Sequence, residues 1–239
     1  MNKAKFIWLT VCASLLLFTL VSCAPSVKIE IAQDDSAKME FSTSLSSSIE
    51  GSIRSLMGLE DNAPLYKEEP VRASLVASGL EVESIRFPSM TGIEIKAGIK
   101  NINKSLTYAK DSVKVTATDT GKDAVIRFSP EIITEALNFM PEETRTYADL
   151  LMAPVFTGEQ MTSDEYMFLL SMVYGDTLAN ELAKSVFIVE LTAPSSVKKA
   201  SLSDTSLGTV KTSGRKAVFT ISLHKLLSSS GTTEYYVSW

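Results

Sequence analysis

From Phe6 to Val21 the chain carries no charged side chain, and the residues before that run include Lys3 and Lys5 but no acid. A stretch so apolar does not belong on the surface of a soluble domain. At about 16 residues it is also short for a membrane span, since a core of roughly 30 Å takes about 20 residues of helix. A basic start, an apolar middle and a small residue at the end describe an export signal. The small residue is Ser22, and Cys23 follows it. Residues 1–22 are therefore expected to be a leader that is removed, and the part that folds lies beyond it.

Leu20-Val21-Ser22-Cys23 resembles the lipobox of bacterial lipoproteins: an aliphatic residue three before the cysteine, a small residue just before it, then the cysteine itself. The resemblance implies that the Cys23 thiol receives a diacylglyceryl group, that the leader is cut before it, and that the freed amine is acylated with a palmitate-type chain. Each buried CH₂ contributes about 0.8 kcal/mol, so one chain holds marginally and two or three hold firmly. Ala24-Pro25-Ser26 cannot open a helix, because Pro25 disfavours the helical region for Ala24. Residues 23–26 thus read as a lipidated tether and 27–239 as a single domain. Such a protein is exported from the cytoplasm and sits on the cell membrane or outer membrane, its partner the membrane itself through acyl chains on Cys23.

Cysteine and charge narrow the function further. The chain has 2 cysteines, Cys12 in the leader and Cys23 at the cut. A mature fold without a thiol or a disulfide must live on its apolar core, and thiol catalysis and cysteine metal sites drop out. The formal charge of −5 becomes −7 once Lys3 and Lys5 leave with the leader. An acidic chain argues against nucleic acid and against electrostatic docking on anionic lipid.

Hydrophobic periodicity alternates between two regimes. Val27, Ile29 and Ile31 alternate with Lys28 and Glu30 as in a half-buried strand, and residues 37–41 read as its hairpin partner across Asp34-Asp35. Phe41, Leu45, Ile49, Ile53 and Leu56 recur at helical spacing. A short helix is expected over 71–78, strands over 80–87 and 93–99, and a hairpin from 113–118 and 124–128 with Gly121 in the left-handed turn position. Ser129-Pro130-Glu131 opens a helical block at about 129–184, in which Thr162-Ser163-Asp164-Glu165 is a capping box for a helix running to Lys184. Strands return at 185–193, 198–202, 209–212, 217–223 and 234–239. The fold class is α+β: antiparallel sheet built from both ends of the chain, with helices on one face.

Reactive machinery is scarce. His224 is the only histidine, and a histidine-based metal site needs two or more imidazoles or thiolates. No G-x-S-x-G turn exposes a nucleophile, and no phosphate-cradling glycine loop is present. The acid pairs Asp34-Asp35 and Asp164-Glu165 have turn and capping roles. No enzyme, no cofactor and no metal is expected.

The helical block is instead overfilled with apolar side chains. Of the 9 methionines, Met140, Met152, Met161, Met167 and Met172 fall in it, beside Phe139, Phe156 and Phe168. Methionine adapts to irregular apolar partners. Met140, Met152, Phe156, Met167, Phe168 and Met172 are the candidate apolar surface, for a lipid or for another envelope protein; packing on two sides inside the domain is the plainer alternative. The hairpin near the anchor, the serine-rich amphipathic helix, and Leu191-Thr192-Ala193-Pro194 followed by a glycine-centred hairpin also resemble LppM-type lipoproteins. That resemblance implies lipid handling at the envelope and transfers no functional residue beyond Cys23. The expected function is a membrane-anchored, non-enzymatic binding protein of the cell envelope, or a structural component of it; a hydrolase would need His224, a serine and an acid to meet.

Overall fold

In the computed structural model, which describes residues 24–46, 50, 51, 54, 55, 60, 63–105, 112–132 and 152–239, the alternation at the start of the chain becomes a hairpin. Strand β1 (Ser26–Ile31) pairs antiparallel with β2 (Ala37–Ser44), Ile29 opposite Met39 and Ile31 opposite Ala37. In the turn, the Asp34 carboxylate accepts the Ser36 hydroxyl at 2.6 Å and the Ser36 N–H at 3.1 Å. The Ser36 hydroxyl, then the Ser36 N–H, hold this carboxyl below its ordinary range. Asp35 takes a left-handed conformation, φ 64°, which a short polar side chain tolerates.

The chain continues through α1 (Glu68–Ala77), β3 (Glu81–Arg86), β4 (Gly92–Ile99), α2 (Ile102–Ser105), β5 (Val113–Thr118) and β6 (Gly121–Phe128). After α3 (Pro154–Thr157), α4 (Ser163–Tyr174) and α5 (Asp176–Lys184) come β7 (Val186–Thr192), β8 (Lys199–Leu202), β9 (Gly208–Ser213) and β10 (Lys216–Ser222). Helix α6 (Leu223–Leu227) and β11 (Thr233–Ser238) close it.

The strands form two sheets, one ordered β3-β4-β2-β1-β7-β10-β9 and one ordered β5-β6-β11-β8. The α+β class and the meeting of the two chain ends in one sheet agree with the sequence pattern. One pairing corrects it. β1 and β7 lie parallel, Val27 beside Val189 and Ile29 beside Leu191, where an antiparallel sheet was expected. Hairpin partners are forced to be antiparallel by their short turns. Strands separated by most of the chain are free of that constraint, and the intervening helices supply the long crossover that a parallel pair needs.

Register places Ile29, Ile31, Ala37, Ala97, Leu191 and Phe219 on one face of the larger sheet, and the smaller sheet covers them with Val115, Ile126, Tyr235 and Val237. Edge-to-face contacts link the two layers, Phe219 to Tyr235 at 5.3 Å and Phe128 to Phe187 at 5.6 Å. Such rings add about 1 kcal/mol per pair beyond their burial. Helix α1 covers the remaining part of that face, Val71 and Leu75 over Ile85, Ile93 and Ile95. The opposite face of the larger sheet is wet and charged, with Lys96 to Glu40 at 2.5 Å and Lys216 to Glu190 at 2.6 Å.

Several local expectations shift. Phe41, expected both to end the second hairpin strand and to begin a helical stripe, lies in β2 and pairs with Ile95, and β2 runs on to Ser44; of the helix expected from there, residues 50, 51, 54 and 55 are helical, 45 and 46 are not, and 47–49, 52, 53 and 56–58 lie outside the described residues. Gly121 has the positive φ expected of it, but in the strand and not within the turn. It is the first residue of β6, opposite Thr118, at φ +154°, and an added Cβ would stand 2.0 Å from the Trp239 carbonyl oxygen. In the helical block, residues 130–132 are helical and the Ser129 hydroxyl accepts the Ile132 N–H at 3.3 Å; residues 133–151, Met140 among them, lie outside the described residues. The helix expected from Thr162 to Lys184 is two helices, broken at Gly175 with φ 84°.

Candidate functional site

Helices α3, α4, α5 and α6 share a core of Ala153, Val155, Tyr166, Leu170, Ala179, Leu182 and Leu227. The capping box that begins α4 is complete: Thr162 Oγ1 accepts the Glu165 N–H at 3.3 Å, and Glu165 Oε2 accepts the Thr162 N–H at 2.8 Å. The Thr162 N–H, then its hydroxyl, hold the Glu165 carboxyl below its ordinary range. This start sets the rotation of α4 about its axis. Tyr166 and Leu170, one turn apart, are fully buried. Phe168 and Met172, also one turn apart, fall on the other side and stay 67% and 70% exposed. Val173, in the last turn, is exposed as well. Single exposed hydrophobes are ordinary, but two large ones adjacent on a helix face depart from that pattern.

The other sequence candidates divide. Met167 packs onto the helical core. Met152 is half-buried at φ 45°. Phe156 lies in α3, with its side chain outside the described residues, as is all of Met140.

What the sequence pattern did not anticipate is where this helical layer sits. The parallel pairing of β1 and β7 brings the starts of both strands to the same sheet end. The Pro25 carbonyl accepts the Ile188 N–H at 2.9 Å, and Ser26 and Ser42 share a hydroxyl contact at 2.8 Å, so the entering chain is held from Pro25 onward. Helix α5 runs into β7 through the buried Ser185, whose hydroxyl donates to the Glu181 carbonyl at 2.9 Å. Leu178 of α5 packs on Leu45, just past β2, and Ser46 donates to Glu181. Helix α6 leaves β10 at this same end, the Leu223 N–H donating to Ser185 at 3.0 Å. The helical layer and the chain entrance are therefore neighbours.

At this end Ser222 Oγ lies 3.0 Å from His224 Nδ1. Burial first, then the Lys225 charge, lower the pKa of this imidazole, and the Asp164 charge opposes them. Among the described residues no carboxylate is hydrogen-bonded to His224. The pair is local, two residues apart, with the serine on the nitrogen where a triad would seat its acid or its nucleophile but not both.

The opposite sheet end carries two adjoining clefts of about 590 and 430 Å³. Their linings mix polar and apolar side chains, and part of their charge is paired: Lys100 with Glu81 at 2.7 Å, Arg215 with Glu30 at 3.6 Å, and Lys122 with the neighbouring Asp35 at 2.7 Å. Exposed pairs of this kind contribute little.

The molecule is thus an α+β protein of two facing sheets with a helical layer at the end where its chain enters. No family model and no curated protein matches this chain. Among solved structures it is similar to the NMR structure of the folded domain of Mycobacterium tuberculosis LppM, at 8% identity over 91% of this chain and 90% of that one, with a TM-score of 0.39.

Proposed function

We propose that this protein is a lipid-anchored component of the bacterial cell envelope, exported and held by acyl chains on Cys23, that acts by binding and not by catalysis. The observation that supports the binding role is the helical layer itself: its core is filled by side chains of all four of its helices, while Phe168 and Met172 are left outward. A face of that kind serves an external apolar surface, of lipid or of an envelope protein, better than an enclosed small ligand. The anchor rests on the tetrapeptide Leu20-Val21-Ser22-Cys23. Metabolic labelling with radioactive palmitate and membrane fractionation test it. The native chain is expected to take the label and sediment with membranes, and Cys23→Ala to lose both. A Cys23→Ala protein that still carries acyl label or stays membrane-bound would overturn the anchor.

A further inference from the structure

We propose that the Phe168–Met172 face of α4 docks on the bilayer to which Cys23 is tethered, so that the helical layer is the membrane-facing end of the molecule. The inference rests on the anchor proposed above and adds the occupant and the orientation. Its first support is chain length. Described backbone is held from Pro25 by the Ile188 hydrogen bond, and the two residues from Pro25 back to Cys23 reach at most about 7 Å. A tether of that length starts from the sheet end at which α5 and α6 attach. The second support is topological. The parallel β1–β7 pair, the Leu45–Leu178 contact and the turn from β10 into α6 all place the helical layer at that end, and the charged clefts at the other. A protein tied so closely to a membrane brings the exposed apolar side chains of that end to the interface, Phe168 and Met172 of α4 together with Phe87 and Met90 of the turn from β3 to β4.

The chemistry of the face selects the kind of lipid surface. Phe168 and Met172 are bordered on α4 by Asp164 and Glu165, and the next helix begins with Asp176. No Lys or Arg lies on α4. Interfacial helices that seek anionic lipid carry basic polar faces. This one carries acids, so its contact is apolar and suits a zwitterionic interface, with anionic headgroups weakening it.

The mature chain has one sulfhydryl position, and acylation occupies it, so Met172→Cys introduces a unique label site. The full lipidated protein, carrying the environment-sensitive dye NBD at that site, is reconstituted into phosphatidylcholine vesicles containing a nitroxide-labelled phosphatidylcholine. Lys211→Cys, on exposed β9, carries the same dye as a control. The expected result is a blue-shifted emission at 172, largely quenched by shallow nitroxide, unchanged at high salt and diminished when phosphatidylglycerol is added, with position 211 unquenched. Protein that floats with the vesicles but is unquenched at 172 overturns the docking and leaves the anchor standing. Protein that fails to float overturns the anchor, and the docking with it. A label silent on vesicles yet shielded in native envelopes assigns the face to a protein partner and also overturns the bilayer contact.

Discussion

Tyr235 sits at the centre of the inter-sheet core, its ring against Phe128 and Phe219, and its hydroxyl is buried with no hydrogen-bond partner among the described residues. Burial pushes its pKa up. An orphaned buried hydroxyl loses its water and gains nothing, so Tyr235→Phe is expected to raise stability by about 1 kcal/mol in urea unfolding; a loss of that size would mean the hydroxyl has a partner. Glycine positions separate in the same way. Gly121 faces the Trp239 carbonyl oxygen 2.0 Å from where a Cβ would stand, whereas Gly214, at φ +57°, opens onto empty space. Gly121→Ala must displace the last strand and is expected to cost about 3 kcal/mol. Gly214→Ala suffers only the left-handed conformation, about 1 kcal/mol. Equal losses would show that the contact with Trp239 relaxes freely.

The start of α4 is the element on which the apolar face turns. Thr162→Ala removes the acceptor for the Glu165 N–H and is expected to cost about 1 kcal/mol by urea titration. The reciprocal bond is charged. The folded-state pKa of Glu165 lies below its unfolded value, the Thr162 N–H being the main cause. Its contribution is therefore present above the ordinary carboxylate range and lost as pH falls through the lowered value. Native protein and Glu165→Gln should differ in Tm at neutral pH and converge in acid. A difference that persists unchanged in acid would remove the charge from the cap. Gly175, at φ 84°, sets the other end of α4. Helical spacing on either side of it reads as one continuous pattern, which is why the break was not legible.

At the scale of the whole molecule, Phe219 joins the layers: it is fully buried, pairs with Val189 and Val210, and packs edge-on to Tyr235. Phe219→Ala is expected to cost about 4 kcal/mol. Because one core serves both sheets, the two should unfold together. Fluorescence of the buried Trp239 and far-ultraviolet circular dichroism are expected to give coincident transitions; separate midpoints would make the sheets independent units.

The α+β class, the hairpin read over 27–31 and 37–41, the strands read over 93–99 and 217–223 (the latter ending at Ser222, one residue short), and the cap at Thr162 were legible in sequence because each rests on side-chain period or on bonds between residues two to four apart. Helical spacing likewise set Met167, Phe168 and Met172 off the main apolar side of their helix; Phe168 and Met172 do stay outward, whereas Met167 packs onto the helical core. Lipobox spacing, likewise local, nominated Cys23. Tertiary structure alone decided that β1 and β7 run parallel, that Trp239 closes on Gly121, and that the helical layer lies beside the chain entrance. Those depend on which distant segments share a core, and periodicity within a segment says which face is buried without saying what buries it.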